Sequence, residues 1–135
     1  MGAVIKLRIV TIEKIVADLP VEELYVETPL GQTGVLPGHA AMLSVVKPGL
    51  VHYKAGGQEV RLVSTGGSLE VKDNIATLLV DEALPIESID VRKAEAERSR
   101  LLNVLESGEL TLLELRDARK QLANVGAKVR LGGSN

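Results

Sequence analysis

Along the first two thirds of the chain, apolar and polar residues alternate in short runs. Ile5, Leu7 and Ile9 take turns with Lys6 and Arg8, a period of two that places one face inward and the other outward. Similar runs follow at Leu24–Val26, Leu43–Val46, Leu50–Tyr53, Val60–Val63, Leu69–Val71 and Ile75–Val80. Gly56-Gly57, Gly66-Gly67 and Asp73-Asn74 punctuate them, and Gly and Asn accept the positive φ that hairpin turns need. Seven to ten short strands on this spacing predict an antiparallel β-sandwich or flattened barrel.

After Pro85 the period changes. Val91, Ala94, Arg98, Leu101 and Leu105 step by three and four, as do Leu115, Ala118, Leu122, Val125 and Val129, so each set forms one helical stripe. Ser88 is the expected N-cap of the first helix, with Asp90 in its first turn, and Ser107-Gly108 ends it. Thr111 and Glu114 have the spacing of a capping box for the second, with Leu110 placed as a staple. A connection this short predicts an antiparallel pair. Gly126 costs about 1 kcal/mol relative to Ala inside a helix, and the Gly132-to-Asn135 tail reads as frayed. The chain is therefore α+β, with a sandwich domain over residues 1–87 and a helical hairpin over 88–135.

Composition supports this division. All five prolines and 13 of the 17 valines fall at or before Pro85. There is no Cys, Trp or Phe, which removes disulfides, thiolate metal sites and a cysteine nucleophile. No apolar run approaches the roughly 18 residues of a membrane span, so direct membrane insertion is not expected. The alternation through Lys6 and Arg8 is unlike a signal peptide, and a soluble intracellular protein is expected. The net charge of −2 divides into −4 over residues 1–87 and +2 over 88–135. Without a concentrated basic face or stacking aromatics, no nucleic-acid partner is expected. Catalysis has little to work with. His39 and His52 are the two histidines, and no HExxH, G-x-S-x-G or P-loop occurs. The adjacent acids, Glu22-Glu23 and Asp81-Glu82, would point to opposite faces of a strand. No enzyme, metal or required cofactor is expected.

The most unusual stretch is Gly31-Gln32-Thr33-Gly34-Val35-Leu36-Pro37-Gly38-His39-Ala40, read as a tightly shaped loop. It resembles the signature loop of the epsilon subunit of F-type ATP synthases. Lys47-Pro48-Gly49, Thr65-Gly66-Gly67-Ser68-Leu69-Glu70-Val71 and Ala76-Thr77-Leu78-Leu79-Val80 resemble later blocks of that family in the same order. The two-part layout is similar over essentially the whole chain. Ala41 replaces the family's usual proline, and Ser68 replaces a large apolar residue.

This resemblance implies a non-catalytic subunit of the central rotor that couples rotation to proton-driven ATP synthesis. It would be peripheral, on the cytoplasmic face of the inner membrane. The sandwich would dock on the gamma subunit and rest on the c ring, with Gly31, Gln32, Leu36, Pro37, Gly38, His39 and Met42 as the c-ring contact. The hairpin, when extended, would reach the alpha and beta catalytic subunits and inhibit ATP hydrolysis through Arg116, Arg119, Lys120, Lys128 and Arg130. The resemblance also implies ATP as a regulatory ligand held at Ile89, Asp90, Arg92, Lys93 and Ala94, the segment that matches a motif through which bacterial members often bind it. Here Lys93 stands at the motif's arginine position and Arg92 lies one residue earlier, about 100° around the helix. Two other readings stay open: an ATP-sensing switch in which nucleotide stabilises the compact hairpin, and a free-standing sandwich that binds a peptide or glycan.

Overall fold

A computed structural model of the chain describes residues 2–132. Ten strands come first: β1 (Ile5–Val10), β2 (Ile15–Val21), β3 (Glu23–Thr28), β4 (Gly31–Val35), β5 (Met42–Val46), β6 (Gly49–Ala55), β7 (Gln58–Ser64), β8 (Gly67–Lys72), β9 (Ile75–Val80) and β10 (Ala83–Pro85). A 3-10 turn at Ile86–Ser88 leads to helices α1 (Val91–Glu106) and α2 (Leu112–Leu131). The strands form two five-stranded sheets, ordered β2-β1-β9-β8-β5 and β10-β7-β6-β3-β4. All pairings are antiparallel except β1 with β9, which run parallel in the register Lys6 with Ile75 through Val10 with Leu79. A parallel pair needs a long crossover, and here most of the sandwich lies between the two strands.

The alternating positions meet between the sheets. Ile5, Leu7, Ile9, Leu24, Val26, Val51, Leu69 and Leu78 are fully or almost fully buried in one cluster. With no Phe or Trp available, aliphatic side chains fill this space, and β-branched residues suit the pleated surface.

β2, β4 and β10 appear where no strand was expected. Each is an edge strand. β2 contains Pro20, and β4 contains Gly31 and Gly34, residues that depress strand propensity but are tolerated at an edge. The stretch read as one loop from Gly31 is thus half strand.

The expected turns at Gly56-Gly57 and Asp73-Asn74 do form, with positive φ at all four residues. Gly66-Gly67 is different. It carries the chain from the second sheet to the first, and a Cβ on Gly67 would stand 1.9 Å from the Leu79 carbonyl oxygen. That glycine is required by the close approach of the β9 backbone.

The helices pair along their predicted stripes, burying Ala94 and Leu101 against Val125, with Leu122 and Val129 alongside. Arg98, which lies on the first stripe, is exposed. The capping box holds, with the Thr111 side chain accepting from the Glu114 N–H and the Glu114 carboxylate from the Thr111 N–H. The cap of α1 is Asp90 rather than Ser88: its Oδ1 accepts the Lys93 N–H at 3.1 Å. Ser88 ends the 3-10 turn and donates its hydroxyl to the Pro85 carbonyl instead. Gly132 is ordered as the C-cap of α2, its N–H bonded to the Lys128 carbonyl. The remainder of the expected frayed tail, 133–135, lies outside the described residues.

Candidate functional site

Three surfaces stand out. The first is the outer face of the sheet that contains β1. The strand registers align Val45, Ser68, Leu79, Val10 and Ile15 in one row across all five strands. Val45, Leu79 and Ile15 are 63%, 50% and 64% exposed, and Leu43 in the neighbouring row is 77% exposed. On the same face, Lys6 and Arg8 reach Asp18 at 3.5 and 3.6 Å. A row of large apolar side chains framed by charge has the character of a docking surface. The sequence carried a signal for it, since Leu78-Leu79-Val80 and Val45-Val46 break the alternation and leave apolar groups on both faces.

The second surface is the end of the sandwich opposite the helices. Leu36, Pro37, Gly38 and His39 form a turn closed by the His39 N–H on the Leu36 carbonyl at 3.0 Å. Pro at its second position and Gly38 with φ +79° at its third are what a type II turn demands. Asn74 ties the turn down: its Oδ1 accepts the Gly38 N–H, and its Nδ2 donates to the Val4 carbonyl, both at 2.9 Å. Leu36 is half exposed, while Met42 faces inward and packs on the core. Gly31 and Gln32 are not here. β4 separates them from Leu36 by about 15 Å of extended chain, and Gln32 Nε2 lies 3.2 Å from the His52 ring, which stacks on Tyr25. The seven residues expected to form one c-ring contact are therefore divided between two ends of β4. The positioning role of Asn74 was missed, because only the folded β8–β9 turn brings it to Gly38.

The third surface is the hairpin. α2 lies across the outer face of the second sheet, where Ala127 is fully buried against Val63 and Ile86, with Leu50, Ile89 and Leu131 around them. Polar contacts flank this small cluster. Lys128 pairs with Glu82, Lys120 Nζ lies 3.7 Å from Asp81, and the Asn124 amide oxygen accepts the Gly66 N–H at 3.3 Å. Two of the five bases expected to act on catalytic subunits are thus engaged with the sandwich. Arg116 and Arg119 are exposed and have no carboxylate within 4.0 Å among the described residues, and Arg130 lines a cavity beside Glu27.

Ile89, Asp90, Lys93 and Ala94 come together on a cavity of about 590 Å³ between α1, α2 and β10, and Arg92 is not among its walls. Glu82, Glu97, Arg100 and Lys128 complete its charged lining. Arg100 binds Glu97 through Nε at 3.0 Å, and this hydrogen bond, with the guanidinium charge, holds the Glu97 carboxyl below its usual range. Among the described residues no cluster of His, Cys, Asp or Glu could hold a metal ion, and no helix is long and apolar enough to cross a membrane.

Residues 4–86 match the family described as ATP synthase, Delta/Epsilon chain, beta-sandwich domain. The chain belongs to that family. Its relatives extend the match into the hairpin. An ATP synthase epsilon chain of Synechococcus sp. (strain JA-2-3B'a(2-13)) is 33% identical over 90% of this chain and 94% of its own. The epsilon chain of Herpetosiphon aurantiacus is 34% identical over 94% of this chain and 91% of its own. The same fold occurs in a chain of the Euglena gracilis mitochondrial ATP synthase OSCP/F1/c-ring assembly, with a TM-score of 0.76, 23% identity, and coverage of 94% of this chain and 80% of that one. In this delta/epsilon-family chain the matched region ends at the 3-10 turn, one residue after the last strand.

Proposed function

We propose that the chain is a non-catalytic rotor subunit of an ATP synthase, peripheral to the membrane, that couples rotation to ATP synthesis and restrains ATP hydrolysis through its hairpin. The observation that carries this reading is the exposed apolar row of Val45, Leu79 and Ile15 on a chain of this family. That face is rigidly presented, since its other side is the close-packed core, and such a surface suits a permanent seat on the gamma subunit. The Leu36–Ala41 end, pinned by Asn74, is the complementary surface for the polar loops of the c ring, on the cytoplasmic side of the inner membrane. The proton is the coupling ion in this reading.

The hairpin suits a regulatory element. It is joined to the sandwich by few apolar side chains and by one exposed and one partly exposed ion pair, each contributing only about 0–1 kcal/mol. Undocking frees Lys120 and Lys128 to join Arg116, Arg119 and Arg130 in contact with the alpha and beta subunits. The test is ATP hydrolysis by the cognate alpha–beta–gamma complex, alone, with the full chain, with a truncation ending at Glu87, and with Leu79→Glu. We expect only the full chain to lower the rate, and Leu79→Glu to lose binding to gamma. Equal rates with the full chain and the truncation, both bound, would remove the inhibitory role. Unimpaired binding of Leu79→Glu would remove the docking face.

A further inference from the structure

The exposed row on the sheet that contains β1 is not flat along its border. Beside Leu79 and Val10 the surface dips into a groove of about 360 Å³, with Ile12 and Val80 as further apolar walls. Gly66 and Gly67 also line it, so that part of the wall is bare backbone. A Cβ on Gly67 would collide with the Leu79 carbonyl, and one on Gly66 would stand 3.2 Å from the Val46 carbonyl oxygen. The close crossing of the chain between the two sheets therefore keeps this wall free of side chains.

Ile12 is 89% exposed, yet the turn that carries it is tied to itself. The Thr11 N–H donates to the Lys14 carbonyl at 2.9 Å, and the Thr11 hydroxyl accepts the Lys14 N–H at 3.2 Å. Ile12 is also no scattered surface residue, because it shares the groove with Leu79 and Val10 of the exposed row. A fixed turn that holds an isoleucine in water at the end of an apolar row forgoes its burial until a partner covers it.

The two charged residues of the lining, Asp81 and Lys120, face each other at 3.7 Å. An occupant thus meets apolar walls and a rim whose charges already balance, a setting that favours an apolar group over a charged one. Neither tyrosine of the chain lies on this face, since Tyr25 belongs to the second sheet and Tyr53 to the core. The large anchor that specific interfaces seat in such a pocket has to come from the other side.

We propose that this groove is the anchor pocket of the docking face: one large apolar or aromatic side chain of the gamma subunit enters between Ile12 and Leu79 and lies over Gly66 and Gly67. The pocket rests on the reading that the exposed row seats on gamma, and it gives that seat its register. Apolar contact along a row is non-directional and tolerates sliding. A single side chain held in the groove fixes one position, which makes Ile12 a determinant of partner choice.

Binding of the full chain to the isolated cognate gamma subunit, read by isothermal titration, separates the groove from the row. Val45 lies two strands from Leu79 and does not line the groove, so Val45→Glu tests the seat alone. Ile12→Ser should weaken binding about tenfold or more, and Val45→Glu should weaken it as well. Ile12→Leu keeps an apolar wall and should stay within about twofold of the parent. Asp81→Asn, which frees Lys120, should also stay within about twofold. Ile12, Val45 and Asp81 are all exposed, so the variants should melt with the parent and a loss of binding is not a loss of fold. If Val45→Glu loses binding while Ile12→Ser binds like the parent, the anchor pocket is overturned and the seat on gamma stands. If both bind like the parent, the seat itself fails and the pocket with it. Tighter binding by Asp81→Asn would overturn the apolar anchor in favour of an acidic partner group.

Discussion

Ala127→Leu tests whether the hairpin is a separately opening unit. Ala127 is completely buried where α2 meets the sandwich, against Val63 and Ile86, and it takes no part in the α1–α2 seam. Adding three carbons at such a site costs about 1–3 kcal/mol through overpacking. The flanking Lys128–Glu82 and Lys120–Asp81 pairs are partly exposed, and neither they nor the single Asn124 hydrogen bond, at about 0.5–1.5 kcal/mol, compensates a steric clash. If the cost falls on docking alone, the docked-to-undocked ratio drops about 5- to 150-fold, from RT of about 0.59 kcal/mol. Amide hydrogen exchange on the isolated chain measures this directly. Protection around Asn124 to Lys128 should fall by that factor, while amides of Leu7 and Leu78 in the sandwich core keep theirs. Loss of protection in step at both places would refute the reasoning, because the cost would then fall on one cooperative fold. Unchanged protection along α2 would equally refute it.

Two further outcomes are expected. Gly67→Ala should destabilise the sandwich at the upper end of about 1–3 kcal/mol, because the new Cβ meets the β9 backbone at the Leu79 carbonyl rather than a movable side chain; denaturant unfolding measures it. The Glu114 carboxyl is held below its usual range first by its bond from the Thr111 N–H and then by the Thr111 hydroxyl. A depressed folded-state pKa contributes stability above the ordinary value of about 4.3 and loses it as pH falls through the folded value. The first turn of α2 should therefore fray on acidification, and Thr111→Ala should raise the Glu114 pKa, both read by NMR titration.

The legible parts of the sequence were those governed by local period and local chemistry. Alternation placed Ile5, Leu7, Ile9, Leu24 and Leu69 in the core, and the three-four spacing placed Ala94, Leu101, Ala118 and Val125 along the helix seam. The capping box at Thr111 and the positive-φ turns at Gly56-Gly57 and Asp73-Asn74 could be read because each depends on a few adjacent residues. The edge strands could not. β2 and β4 contain Pro20 and Gly34, whose propensities oppose a strand, and neighbouring strands in the sheet override them. Nor could the second face of α2, since docking on the sandwich rests mainly on Ala127 and leaves no apolar stripe of its own.

Which residues face inward, where the strands give way to helices, and to which family the chain is similar were all set by the order of the residues. Those properties follow from side-chain period and short motifs, and neither requires knowing which element lies beside which. The stacking of the sheets decided that β1 and β9 run parallel, so that Val45, Leu79, Val10 and Ile15 share one outward-facing row. It also decided that Asn74 pins Gly38, that Lys128 meets Glu82, and that Arg98 and Arg130 line one cavity with Lys47. Each of these joins residues distant in sequence, and their distances are set by how the sheets and hairpin stack rather than by any local preference of the chain.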